Sequence, residues 1–250
     1  MAHDLKISEV GDQDSGVALH PALRGVRAVL FDVGGTLTHP DWERLSRLAE
    51  REACGRFAAT ELERAFKEGL REVDACVGRG VAPTVDTTRR HWTFRRMYGG
   101  LGVGAQACER LCALLDETHD ERHLWCGVDP QAARVLAALR GAGLRTAAVS
   151  NTEDGRLEEL IALVGLGGHF DFLIDSFVVG QRKPGAAIFR LALARLGVEP
   201  GEAAFVGDSY AHDALAALAV GMGAILLDPL ELHPEAVCPR VRALAELVGG

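Results

Sequence analysis

The sequence predicts an α/β fold: a doubly wound parallel sheet with an all-helical cap domain inserted after its first strand. Three observations carry this reading. Over the second half of the chain, short apolar stretches alternate with amphipathic ones, the pattern produced when helices cover both faces of a parallel sheet. One further apolar stretch, Val26 to Phe31, stands alone far upstream. Between it and the others lies a long region of helical periodicity with no convincing strand.

Taken in order, residues 1–24 read as a polar lead-in. Val26-Arg27-Ala28-Val29-Leu30-Phe31 is a buried strand running into the tight turn Asp32-Val33-Gly34-Gly35. Asp41 can cap a helix that carries Trp42, Leu45, Leu48 and Ala49 on one face. A second helix starts at Thr60 with Leu62, Ala65, Phe66 and Val73, a third spans Val85 to Tyr98, and a fourth covers Ala105 to Glu117. After Gly127, Asp129-Pro130 opens a helix that Gly141 and Gly143 should stop. Then follow strand Arg145–Ser150, a helix with Leu157, Leu160, Ile161 and Val164, strand Phe172–Ser176, and a helix from Pro184 through Leu196. Strand Ala203–Gly207, helix Tyr210–Val220, strand Ala224–Asp228 and a helix near Pro234–Leu247 complete the expectation. Residues 25–39 and 126–250 therefore form a Rossmann-like core, and residues 40–125 form the helical cap.

Composition narrows the function classes. With 48% hydrophobic residues, the chain can bury a sizeable core. Its formal net charge of −8 argues against nucleic-acid or anionic-membrane partners, which need a basic face. No apolar run approaches the roughly 18 residues of a membrane span, and the N-terminus lacks the basic flank and apolar stretch of a signal peptide. A cytoplasmic protein is expected. Six irregularly placed cysteines fit free thiols in a reducing compartment. Cys108, Cys112, His119 and His123 lie close together, but their spacing matches no usual zinc pattern, so buried thiols and surface imidazoles are expected.

In doubly wound sheets, ligands bind beyond the C-terminal ends of the strands. Those ends carry Asp32-Val33-Gly34-Gly35-Thr36-Leu37-Thr38, then Val149-Ser150-Asn151-Thr152, then Arg182-Lys183-Pro184, then Gly207-Asp208-Ser209-Tyr210-Ala211-His212-Asp213. In order, spacing and placement these four segments resemble the motifs of the haloacid dehalogenase superfamily. The match covers about residues 26–39 and 128–228, while the cap agrees in position and helical character only.

The resemblance implies Asp32 as a nucleophile that forms an aspartyl-phosphate, dividing one hard displacement into two easier ones. It implies Mg²⁺ held by Asp32, the Gly34 carbonyl and Asp208, with Asp213 behind them as an acceptor or a ligand through water. Lys183 would neutralise the nucleophile and the transferring group, and Ser150, Asn151 and Thr36 would hold phosphate oxygens at a helix N-terminus. Lys183 carries weight of its own, because the chain has only three lysines, Lys6, Lys67 and Lys183. A compact ammonium suits a crowded phosphoryl site better than a planar guanidinium.

One departure limits the implication. Superfamily phosphatases carry a general-acid aspartate two residues after the nucleophile, and here that position is Gly34. Such assistance contributes roughly 10²–10⁴-fold, so poor alkoxide leaving groups should suffer most. Three readings follow. The first is a phosphatase for a small phosphorylated metabolite, with a relocated acid or a leaving group that needs little protonation, such as an acyl phosphate. His39 is the nearest titratable candidate, although a histidine beside Pro40 reads more readily as a surface or hinge residue. The second is other superfamily chemistry: the pair Asp208 and Asp213 disfavours a dehalogenase, and a phosphonatase would need Lys67 as a Schiff base. The third is a binding or regulatory protein with inefficient turnover. Arg89-Arg90-His91-Trp92-Thr93-Phe94-Arg95-Arg96 reads as an amphipathic helix, with aromatic rings towards the cap core and arginines in solvent. Oligomeric state has no sequence signal.

Overall fold

The computed structural model describes residues 18–80 and 91–249. Residues 1–17 of the lead-in and residues 85–90 of the third expected helix lie outside the described residues.

Six parallel strands form the core, β1 (Ala28–Phe31), β4 (Arg145–Ser150), β5 (Phe172–Asp175), β6 (Ala203–Gly207), β7 (Gly223–Leu227) and β8 (Arg240–Val241), in the order β5-β4-β1-β6-β7-β8. Side-chain alternation along β1 divides its residues between two faces. Val29 and Phe31 join a cluster with Val135, Leu136 and Leu139 of α5 (Ala132–Gly141) and Leu157, Leu160 and Ile161 of α6 (Leu157–Leu163). Ala28 and Leu30 join the opposite cluster with Ile188, Phe189 and Leu193 of α8 (Ala186–Leu196) and Ala216 and Ala217 of α9 (Leu215–Ala219). The strand order reverses between β4 and β6 around β1, so the sheet is doubly wound and Asp32 sits at the switch point. The end of the lead-in belongs to this core. Leu19 bridges to Val248, and Leu23 is buried beside Leu247.

The insert is helical, as expected: α1 (Trp42–Arg51), α2 (Ala59–Gly78), α3 (Trp92–Gly100) and α4 (Ala105–Glu121). It has its own buried cluster, which includes Leu45, Leu62, Phe66, Phe94, Tyr98 and Leu111. Asp41 caps α1 by accepting from Arg44 N at 3.0 Å. Helix α2 starts at Ala59 rather than Thr60, with Glu61 Oε2 accepting from Ala58 N at 2.7 Å. Gly69 lets α2 and α3 approach, since a Cβ there would lie 3.1 Å from Arg96 Cβ.

Four local expectations change. No helix spans 234–247: Pro239 cannot continue one, and its carbonyl accepts instead from Leu226 N at 2.9 Å, bringing β8 onto the sheet edge. A 3₁₀ turn, Leu244–Leu247, follows. The stretch from Tyr210 begins as a π-turn, Tyr210–Ala214, before α9. Asp129 closes a turn by accepting from Gln131 N at 2.7 Å, and α5 starts only at Ala132. Asp175 ends β5 and caps α7 (Ser176–Val179).

Where chain leaves and re-enters the core, Thr38–His39 (β2) pairs antiparallel with Gly127–Val128 (β3). His39 lies in this two-stranded neck, its ring stacked on Trp42 at 5.8 Å and its Nδ1 2.9 Å from Pro40 O. A Cβ on Gly127 would lie 2.1 Å from the His39 ring. Gly127→Ala is therefore expected to displace His39 from Trp42 and to destabilise the chain by about 1–3 kcal/mol, read by urea unfolding followed through tryptophan emission.

Candidate active site

The first strand delivers its carboxylate by continuing the ladder one residue beyond β1: Asp32 N donates to Val206 O at 2.9 Å. The turn after it folds back on Val33, whose carbonyl accepts from Leu37 N at 2.9 Å and Thr38 N at 2.8 Å. Gly35 takes φ +99°, and a Cβ on it would lie 2.1 Å from Asp208 Oδ2. Glycine is needed here on both counts. Gly207 is needed similarly, because a Cβ there would strike Asp213 Oδ2 at 2.3 Å.

The four strand ends converge. Lys183 Nζ donates to Asp32 Oδ1 at 2.5 Å and to Asp213 Oδ1 at 2.6 Å, and all three residues are buried. Burial opposes the Lys183 charge, yet Asp213 and Asp32 outweigh it and hold the ammonium above the ordinary lysine value. Asp213 Oδ2 also accepts from Ser209 N at 3.0 Å. Carboxylate oxygens of Asp32, Asp208 and Asp213 all lie within 4.8 Å of one another. Thr36 Oγ1 sits 3.4 Å from Asp32 Oδ2 and 3.5 Å from Asp208 Oδ1. Ser150, at the end of β4, is buried and faces the same cavity as Asp32. The Asn151 amide engages the Lys183 backbone on both sides: Oδ1 accepts from Lys183 N and Nδ2 donates to Lys183 O, each at 2.9 Å. Its visible work is to hold the lysine in place, where a phosphate contact was expected.

The donor set fits a divalent cation. Burial, and then the neighbouring charges of Asp32 and Asp213, push the Asp208 carboxyl well above the ordinary carboxylate range against the pull of Lys67. Asp208 Oδ2 is buried with no hydrogen-bond partner. Such an atom is costly unless something positive faces it, and hard carboxylate oxygens suit Mg²⁺.

Two cap residues that sequence reasoning set aside or passed over reach this site. Lys67 Nζ of α2 donates to Gly35 O at 3.3 Å and lies 3.7 Å from Asp208 Oδ2. Asp74, two helical turns on, is buried and accepts from Tyr210 N at 2.7 Å and from Ser209 Oγ. Scarcity of lysine could have flagged Lys67 as it flagged Lys183; Asp74 left no such signal.

Between cap and core lies a cavity of about 760 Å³. Its floor carries Asp32, Ser150, Lys183 and Asp208, and its roof carries Phe66, Trp92, Phe94 and Trp125. His39 and Lys67 are not among its described lining residues. Trp125 stands over Gly34, where an added Cβ would meet the indole at 3.2 Å. A side chain at residue 34 would press on that ring, which would have to give by a few tenths of an ångström. In α3, Phe94 and Tyr98 are buried, whereas Arg95 and Arg96 pair outward with Glu109 and Glu72. Arg89 and Arg90 lie outside the described residues.

Cys108 and Cys112 are buried in the cap cluster, and the described cysteines are free. The two imidazoles are not on the surface. His123 is buried, and both rings line the cavity beside Asp154. His119 Nδ1 accepts from Leu124 N at 3.2 Å, and His123 Nδ1 accepts from Trp125 N at 3.3 Å. In neutral rings that places the proton on Nε2, where His119 meets Asp154 Oδ2 at 2.7 Å. A metal at either Nε2 would need the opposite tautomer. Burial would raise the Asp154 carboxyl, but hydrogen bonds from His119 and Arg156 N hold it down at about 2.

Comparison with known proteins gives the family of the chain. Residues 26–221 match the sequence model of haloacid dehalogenase-like hydrolases. The chain is similar to mouse (Mus musculus) haloacid dehalogenase-like hydrolase domain-containing protein 3, 43% identical over 171 residues, covering 64% of this chain and 66% of the mouse protein. It is also similar to phosphoglycolate phosphatase 1 of Pseudomonas aeruginosa, 30% identical over 208 residues, covering 80% of this chain and 69% of that protein. Among solved structures it resembles a HAD phosphatase from Thermococcus onnurineus with a TM-score of 0.56 and 26% identity, covering 89% of this chain and 96% of that one.

Burial, then the nearby His119, lowers the His123 pKa to about 4 from an ordinary 6.5. Because the unfolded ring binds its proton first, stability is fully present above about pH 6.5 and falls as pH drops towards 4. His123→Gln should lose about 2–3 kcal/mol less over that interval than the parent chain, measured by urea unfolding at stepped pH.

Proposed function

The chain belongs to the haloacid dehalogenase-like hydrolases, and from that premise we propose that it is a Mg²⁺-dependent phosphatase for small phosphorylated metabolites, working through an aspartyl-phosphate on Asp32. The observation that carries the proposal is the buried ammonium of Lys183 between Asp32 and Asp213, beside Asp208 Oδ2, which accepts no hydrogen bond. The Pseudomonas relative is named as a phosphatase, in keeping with this reading.

Asp32 Oδ1 is fixed by the Lys183 ammonium, which leaves Asp32 Oδ2 to attack phosphorus. Lys183 offsets the charge of the nucleophile and of the incoming phosphoryl group together, so two anions can meet. Ser150 at the end of β4 supplies a hydroxyl, and Thr36 a second one, to phosphoryl oxygens. Asn151 keeps Lys183 in register through its backbone. Mg²⁺, held by Asp32, the Gly34 carbonyl and Asp208, would supply the remaining positive charge on the transferring group. Gly34 offers no proton to the leaving group, so turnover falls on substrates whose leaving oxygen departs as a stable anion. Carbon–halogen cleavage has no use for three gathered carboxylates, because halide needs neither proton nor cation to depart.

The purified protein is expected to turn over p-nitrophenyl phosphate and acetyl phosphate with Mg²⁺, to stop with EDTA, and to lose at least about 10³-fold in Asp32→Asn. Equal release from Asp32→Asn and the parent chain would overturn the assignment. Independently of turnover, Mg²⁺ should raise the melting temperature of the parent chain and leave that of Asp208→Asn unmoved, checked by differential scanning calorimetry.

A further inference from the structure

We propose that the cavity between cap and core is built for phosphate monoesters of aromatic alcohols, phenolic phosphates in particular, and that Trp125 is the residue that sets this preference. The inference rests on the phosphatase reading and deepens it by naming the substrate class. Two separate observations meet in it.

The first concerns protons. Residue 34 carries no side chain to stand beside the leaving group, and the Trp125 indole packs over it, 3.2 Å from the position of the missing Cβ. His119 and His123, which line the cavity with His91 and His212, do not replace that side chain. His119 Nε2 is engaged by Asp154 at 2.7 Å, and burial keeps the His123 ring neutral at ordinary pH. A leaving oxygen that finds no acid at residue 34 and none at these two rings departs without a proton, and phenoxides do so far more readily than alkoxides.

The second concerns shape and polarity. The same indole forms one side of an aromatic wall, 5.7 Å from the Phe66 ring and 6.1 Å from Phe94, both edge-on. Trp92, Leu124 and Val73 extend this wall along the roof. A hydroxyl of a sugar or glycerol body pressed against these rings would lose water and gain no partner from them, at a cost. A planar ring placed there loses little and gains edge-to-face contact. The cavity of about 760 Å³ holds such a body while its phosphate lies at Asp32 and Lys183. The wall thus packs over the residue that lacks the acid.

The chemistry balances without a further reactant. An Asp32 oxygen bonds to phosphorus as the ester P–O bond breaks, and the aryl oxide leaves with the electron pair and is protonated by solvent. Water then attacks phosphorus of the aspartyl-phosphate, releasing inorganic phosphate and one proton and restoring the carboxylate.

The test compares kcat/KM with Mg²⁺ for 4-nitrophenyl, 4-chlorophenyl, phenyl and 4-methylphenyl phosphates, for cyclohexyl phosphate, for glucose 6-phosphate and for acetyl phosphate. Phenyl phosphate should exceed cyclohexyl phosphate, its match in size and apolarity, by at least about 100-fold. Rates along the aryl series should fall steeply as the leaving phenol becomes less acidic. Trp125→Ala should lose more on phenyl phosphate than on acetyl phosphate, whereas Trp125→Phe, which keeps a ring, should retain the aryl preference; melting curves of both variants report their folding. Parallel losses on every substrate in a folded Trp125→Ala, or glucose 6-phosphate matching phenyl phosphate, would overturn the inference. Asp32-dependent turnover of acetyl phosphate with no aryl preference would overturn it while leaving the phosphatase reading intact. Turnover of nothing, acetyl phosphate included, would overturn both.

Discussion

One buried ammonium holds together two of three mutually repelling carboxylates, and most of the architecture around it follows from that electrostatic demand. Carboxylates gathered within 4.8 Å of one another repel, and Lys183 answers two of them directly at 2.5 and 2.6 Å. A charge so deeply placed is tolerable only when its position is over-determined. That explains why Asn151 grips the lysine backbone from both sides and why Ser209 N is aimed at Asp213. It also explains Gly35 and Gly207, since the carboxylates pack on backbone with no room for a Cβ. The sheet supplies the rest by bringing the ends of β1, β4 and β6 side by side.

The parts of the site that lie at strand ends were legible in the sequence. Each combines an apolar run with an abrupt polar turn, and these two local features survive without knowledge of the tertiary fold. Lys183 was legible through rarity in a chain that otherwise uses arginine. Lys67 shared that rarity, but its helix of ordinary charged residues pointed to solvent, and only the docking of α2 brings it within 3.3 Å of Gly35 O. Trp125 and His123 were illegible for a different reason. Their roles arise from neighbours at Gly34 and Asp154, which no local pattern announces. The helix expected over 234–247 failed on a local rule that was available: Pro239 forbids it, and the chain turns there into a sixth strand.

Cap and core divide the chemistry between them unevenly. The core contributes nearly all the charge of the site and almost none of the wall that would surround a substrate's organic part. The cap contributes that wall through Phe66, Trp92, Phe94 and the adjoining Trp125. Variation in the cap would therefore alter which leaving group is accepted without disturbing the carboxylates, whereas variation at Gly34 and Trp125 touches both. Residue 34 and residue 125 crowd one another, so a side chain at the first requires the indole at the second to give way by a few tenths of an ångström.

The cap nevertheless reaches into the electrostatics at its edges. Lys67 and Asp74 are seven residues apart on α2, which sets them on one face two turns from each other. One brings a positive charge to Asp208, the other a negative charge to the backbone of the loop that follows β6. At the opposite edge, His119 of α4 meets Asp154 of the core at 2.7 Å. Lifting the cap would strip Asp208 of a compensating ammonium and leave Asp74 to find its hydrogen bonds in water. Asp208, through Lys67, thus ties the α2 edge to the core, and between these pinned edges the aromatic rings line the roof of the cavity. The α2 edge and the charge balance of the site thus share one contact, Lys67 with Asp208 at 3.7 Å.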